Sequence, residues 1–156
     1  MDLKEIPAGS FDRHPWEVAR AQFFEGELCR ASLLAGRRRV LDVGAGDAWL
    51  AHRFADAGPG LEFVCWDVGY DSVPPPRHDR IRYSAARPEG TFDLVLMLDV
   101  AEHVEHDRDF VGDLVRCLMN PAAHLLFSVP AWPQLYGTHD AALGHHRRYT
   151  PDAARQ

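Results

Sequence analysis

Apolar residues in this chain fall into short, mostly unbroken runs, and the stretches between several of them carry apolar positions at helical spacing. Five runs read as strands: Arg39 to Val43, Leu61 to Asp67, Arg80 to Ser84, the apolar run within Thr91 to Val104, and His124 to Val129. The fourth has no polar alternation and is flanked by turn formers, the pattern of a strand buried on both faces in a parallel sheet. A helix is predicted from Pro15, whose fixed φ suits a first helical position, with Trp16, Ala19, Phe23, Phe24, Leu28 and Ala31 on one face. A second, carrying Trp49, Leu50 and Phe54, is stopped by Gly58-Pro59-Gly60. A third, from near Asp107 to Met119, has acids in its first turn and buries Phe110, Val111, Leu114, Val115 and Leu118 until Asn120-Pro121 ends it. Between Val68 and Asp79 three consecutive prolines rule out the interior of a helix. Strands alternating with helices or crossovers make an open α/β sheet. Residues 1–13 read as a polar lead-in and residues 14–156 as one domain.

The chemistry concentrates where the first strand meets the second helix, at Asp42-Val43-Gly44-Ala45-Gly46-Asp47-Ala48-Trp49. Glycines are needed there because the turn uses backbone conformations closed to other residues and because a Cβ would hold a ligand off the main chain. The start of the helix then offers N–H groups to a polar or anionic part of that ligand. A dinucleotide turn requires a small residue at position 49, where helix and strand pack closely, and Trp49 stands there instead. A nucleotide-binding reading also needs an acid at the end of the next strand, about 20 residues on, for ribose hydroxyls. Asp67 lies 21 positions after Gly46 and supplies it.

The pattern Asp42-x-Gly44-x-Gly46-x-Ala48 resembles motif I of the class I S-adenosylmethionine-dependent methyltransferases, with alanine in place of the third glycine. The segment Phe92-Asp93-Leu94-Val95 through Glu102-His103-Val104 is similar to the fourth-strand stretch of many small-molecule methyltransferases. The resemblance implies a Rossmann-like open parallel sheet flanked by helices, in the order 3-2-1-4-5. It implies S-adenosylmethionine as cofactor, held by Asp42, Gly44, Ala45, Gly46, Asp67, Val68, Ser84 and Leu98. Ser84, or a backbone carbonyl, replaces the acid that many relatives place after the third strand. The helix that starts near Pro15 resembles one that closes over the cofactor in some relatives. The family continues beyond the helix start at Thr150-Pro151 with two further strands, so the resemblance implies a chain lacking those strands. A fifth strand left with an open edge is then expected to self-associate.

Composition narrows the partners. A formal net charge of −6 disfavours general affinity for nucleic acid or an anionic membrane, and the run Arg37-Arg38-Arg39 reads as a solvated connection. Cys29, Cys65 and Cys117 form no C-x-x-C pair and read as reduced thiols of a soluble cytoplasmic protein. With no membrane span in the sequence, the expected partner is a small-molecule acceptor.

The sequence from His139 to Thr150, H-D-x-x-x-G-H-x-R-R-Y-T, resembles a loop that covers the acceptor side of the cleft in a branch of these enzymes. It implies acceptor contacts from His139, His145, Arg148 and Tyr149. The spacing of His139, Asp140, His145 and His146 matches no zinc pattern, so no metal is expected. The implied reaction is methyl transfer to an oxygen or nitrogen, with Asp99 or His103 as base where the acceptor must lose a proton. A non-catalytic cofactor-binding fragment is the alternative, and a nicotinamide-dependent oxidoreductase is a weaker one.

Overall fold

A computed structural model describes residues 13–71 and 78–155. The lead-in up to residue 12 and the crossover prolines lie outside the described residues. The chain divides into two compact units, residues 1–88 and 89–156.

In the first unit, α1 (Pro15–Arg30) begins with a capping box: His14 Nδ1 accepts from the Trp16 amide at 3.2 Å, and Glu17 reaches back to the His14 amide at 3.3 Å. Its buried face is Ala21, Phe24 and Leu28. This corrects the predicted face: Ala19 and Ala31 are exposed, and Trp16 and Phe23 keep 68% and 60% of their surface. Three parallel strands follow, β1 (Arg38–Val43), β2 (Leu61–Trp66) and β3 (Ile81–Ser84), with Val40 opposite Phe63 and Phe63 opposite Ile81. Between β1 and β2 runs α2 (Trp49–Ala57), which buries Ala51, Phe54 and Ala55. Arg53 Nε binds Glu25 at 2.8 Å and joins α2 to α1. The stop after α2 also has a packing reason, since a Cβ on Gly60 would overlap the Gly36 carbonyl. Val40, Leu41, Phe54, Leu61 and Phe63 are almost wholly covered, each large side chain contributing about 1.5–3 kcal/mol.

In the second unit, β4 (Phe92–Leu98) pairs in parallel with β5 (Met119–Ser128). Leu94, Val95, Leu96 and Met97 are fully covered, as the unbroken apolar run predicts. Helix α3 (Asp107–Leu118) buries Leu114 and Leu118, half-buries Phe110 and Val111, and leaves Val115 exposed, contrary to the predicted face. The helix ends where expected, but Asn120-Pro121 is not a turn. β5 starts at Met119, with a register shift between Phe92 and Leu94, and Asn120 Nδ2 donates to Asp93 Oδ1 at 2.7 Å. Pro121 lacks an N–H, which a strand at the edge of a sheet tolerates.

The five strands follow the order β3-β2-β1-β4-β5, an open Rossmann-like sheet flanked by helices, as expected. The tail departs from the predicted loop by forming α4 (Thr138–Leu143). It is tied back by hydrogen bonds from the Tyr149 amide to the Pro130 carbonyl at 2.8 Å and from the Trp132 amide to the Tyr149 carbonyl at 2.9 Å. Thr150 Oγ1 accepts from the Ala153 amide at 3.2 Å, starting a short 3-10 turn, Ala153–Arg155. Among the described residues no helix is long and apolar enough to cross a membrane.

Candidate functional site

Gly44 and Gly46 both have left-handed backbones, φ 65° and 55°, and Ala48 follows at φ 58°. The first two are conformations that a Cβ penalises, which is why the strand-to-helix turn is written with glycine. The turn's amides are already engaged. Gly44 and Ala45 donate to the Trp66 carbonyl at 2.7 and 3.4 Å, Gly46 donates to Asp67 Oδ2 at 2.9 Å, and Ala48 donates to the Ala45 carbonyl at 2.8 Å. Trp49 donates to Asp47 Oδ1 at 3.2 Å. At the start of the helix the expectation of amides left open for a ligand is therefore corrected for Trp49. What the first unit presents here is acceptor capacity: Asp67 Oδ1 takes the Gly69 amide at 2.8 Å, and a carboxylate has about four lone-pair directions, so roughly two remain.

Around this turn, Asp42 is only 4% exposed, and burial, reinforced by the negative charges of Asp67 and Asp47, pushes its carboxyl up to about 7. It supports the turn from the interior. Val68, next to Asp67, keeps 83% of its apolar surface exposed. Ser84 Oγ donates to the Ala86 carbonyl at 2.7 Å and retains its lone pairs. The Arg13 guanidinium pairs with Asp47 and stacks 4.7 Å from the Trp49 ring centre, fixing the entrance to α1 against the turn.

In the second unit Leu98 is half-buried at the end of β4, and Asp99 follows with a left-handed backbone, φ 57°. Its amide donates to the Ser128 carbonyl at 2.9 Å and its Oδ1 accepts from Ser128 Oγ at 2.8 Å, so β5 holds the strained residue in place. A 3-10 turn, Ala101–His103, then buries Glu102 and exposes His103, whose ring stands edge-on to that of His145 at 4.7 Å.

The tail residues singled out from the sequence have different surroundings. His139 is exposed in α4. His145 Nδ1 and Arg148 Nε both bind Asp140 Oδ1, at 3.0 and 2.7 Å. Asp140 also takes the Gly137 amide at 3.0 Å, and it is 1% exposed. The Arg148 guanidinium, foremost among these partners, holds its carboxyl well below the usual carboxylate range. Tyr149 is buried and donates to Asp107 Oδ2 at 2.7 Å, while Arg147 reaches Asp107 Oδ1 at 2.7 Å. Burial, then the bond to Asp107, pushes the Tyr149 hydroxyl up. The sequence reading missed Asp140 and Asp107 as the two acids that organise the tail. The available signal was an acid within reach of the basic run Arg147-Arg148, a pairing that spacing alone does not single out.

Fold, glycine turn and following acid define a class I S-adenosylmethionine-dependent methyltransferase domain. The chain belongs to the family described as a methyltransferase domain, whose model matches residues 17–155. An uncharacterized methyltransferase of Mycolicibacterium gilvum is 33% identical over 130 residues, covering 77% of this chain and 51% of that protein. One from Mycobacterium ulcerans is 30% identical over 134 residues, covering 81% and 52%. The chain thus spans about half the length of the curated relatives it matches. Among solved structures, the N-methyltransferase NodS from Bradyrhizobium japonicum, in complex with S-adenosylhomocysteine, superposes with a TM-score of 0.65 at 20% identity, over 94% of this chain and 78% of that one. The 1,6-didemethyltoxoflavin-N1-methyltransferase of Burkholderia thailandensis gives 0.61 at 21% identity with the same coverage.

The residues present fit the cofactor. Ribose hydroxyls are donors, and Asp67 keeps acceptor capacity for them beside a turn in which Gly44 is exposed.

Proposed function

We propose that this chain transfers a methyl group from S-adenosylmethionine to an oxygen or nitrogen of a small-molecule acceptor. The observation that carries the reading is the Asp67 carboxylate bound to the Gly46 amide at 2.9 Å. It makes the glycine turn a site for donors. A pyrophosphate would need free amides there, and those of Gly44, Ala45 and Gly46 are occupied, which weighs against a nicotinamide dinucleotide. Asp67 takes the ribose hydroxyls, Val68 gives an apolar surface, Ser84 offers its hydroxyl oxygen, and Gly44, Ala45 and Gly46 line the cofactor with Asp42 as internal support; for Leu98, at the end of β4, a cofactor contact rests on the family resemblance alone.

When bound, the cofactor supplies a methyl group on a sulfonium, already a good leaving group. The protein's part is to orient the acceptor and, where needed, to take its proton. Asp99 and His103 are the proton acceptors in this reading, supported for Asp99 by its left-handed backbone beside Ser128. His139, His145, Arg148 and Tyr149 belong to the acceptor cover, with Tyr149 acting through Asp107. Two structural neighbours named as N-methyltransferases support nitrogen as the acceptor atom. The free thiols of Cys29, Cys65 and Cys117 support a cytoplasmic location. Pairing of two copies through the edge strand β5 is the corresponding proposal for self-association, tested by light scattering.

Transfer of tritiated methyl from labelled S-adenosylmethionine to a metabolite extract tests the activity. Label in acceptor fractions that disappears with Asp67→Ala is expected. Cofactor binding without any transfer would make the chain a binding fragment.

A further inference from the structure

We propose that Glu102, His103 and His145 form a site for one divalent transition-metal ion of the zinc class. One ligand atom from each of the three lies within 4.8 Å of the others. The sequence alone gives no hint of the set, because a chain separation of about 40 residues divides its members. The fold closes that gap: the His146 amide donates to the Glu102 carbonyl at 2.7 Å and clamps the tail onto the turn after β4. The Tyr136 hydroxyl, donating to the His145 carbonyl at 2.7 Å, holds the same residue from the other side.

Donor chemistry selects the ion. Two imidazoles and one carboxylate are a zinc-type set, whereas calcium and magnesium prefer all-oxygen surroundings. Ligand atoms about 2.0–2.2 Å from a tetrahedral ion stand roughly 3.3–3.6 Å apart, so the group must contract modestly from its 4.8 Å spacing. His103 is exposed, and its ring already stands edge-on to that of His145 at 4.7 Å. Glu102 is 1% exposed, and a cation beside a covered carboxylate is attracted more strongly than in bulk water.

The surroundings of His145 match those of a metal-bound imidazole. Its Nδ1 bonds Asp140 Oδ1 at 3.0 Å, which fixes the proton on Nδ1 and leaves Nε2 as the donor to an ion. Asp140 is held in turn by Arg148 Nε at 2.7 Å and the Gly137 amide at 3.0 Å, and its charge offsets the guanidinium near the site. Three protein ligands leave a fourth position for water or an acceptor oxygen. An ion here engages the His103 lone pair and leaves Asp99 as the proton acceptor of the two named above.

Metal binding is read without cofactor or acceptor, so it stands or falls separately from methyl transfer. The full chain, purified without an affinity tag and stripped with chelator, is titrated with Co2+ and back-titrated with Zn2+. Saturable uptake of one Co2+ per chain is expected, with the visible absorption of a four-coordinate ion, abolished by Zn2+. His103→Gln, at an exposed position, and Asp140→Asn should each weaken binding roughly tenfold or more with the melting temperature of the metal-free chain recorded beside it, while the control His124→Gln should not weaken binding. No saturable uptake, or uptake equal in His103→Gln and the parent chain, would overturn the site.

Discussion

The Gly46 amide donates to Asp67 Oδ2 at 2.9 Å, joining the glycine turn to the end of the next strand across 21 positions of sequence. One carboxylate thereby shapes the turn and keeps lone pairs for a ligand. Asp67→Ala should weaken S-adenosylhomocysteine binding by about 1.5–3 kcal/mol and also lower the melting temperature. Calorimetry returning the parent affinity would remove Asp67 from the site.

Asp42 predicts a pH dependence of stability. Its carboxyl stands at about 7 in the folded chain against 3.8 when unfolded, because burial disfavours the charge. The folded state therefore binds more protons between these values. Stability from this group is full below about pH 4 and is lost as pH rises towards about 7, by about 4 kcal/mol in all. Asp42→Asn should flatten denaturant midpoints across that window. A parent-like slope in the variant would assign the dependence to other groups.

Much of this was legible because the first strand, glycine turn and helix are contiguous and each residue's role is local. The fourth strand was equally plain from its unbroken apolar run. The face of α1 was legible only in part. Phe24 and Leu28 are buried as predicted, but Trp16, Ala19 and Phe23 share the helical spacing and stay exposed, and only packing brings in Ala21 instead. The early start of β5 was not legible, since Asn120-Pro121 has the composition of a turn and becomes strand through pairing with β4 and the Asp93 bond. The Asp140, Asp107 and Glu102 contacts escaped because they are set by how the tail folds back, which no periodicity encodes.

Tyr149→Phe tests whether the tail's tyrosine acts by positioning. It removes the bond to the buried Asp107 Oδ2 and leaves that acid its contact with Arg147. A loss of about 1–3 kcal/mol in stability is expected, with cofactor affinity unchanged. A fully stable variant would mean that the hydroxyl contributes nothing to the clamp.

Asp140→Ala should release both Arg148 and His145. Hydrogen exchange across residues 137–149 should then accelerate while β1 and β2 keep the parent's protection. Unchanged exchange in the tail would show that its backbone bonds suffice without Asp140.

We propose that the glycine turn and Asp67 are what let this chain bind S-adenosylmethionine. Titration calorimetry with S-adenosylhomocysteine and with NAD+, on the parent chain and on Gly46→Val, tests it most directly. Gly46 sits at φ 55°, where a β-branched residue is strained. One saturable S-adenosylhomocysteine site in the parent, lost in Gly46→Val, with no binding of NAD+, is the predicted result. Saturable NAD+ binding, or S-adenosylhomocysteine binding that survives in Gly46→Val, would contradict it.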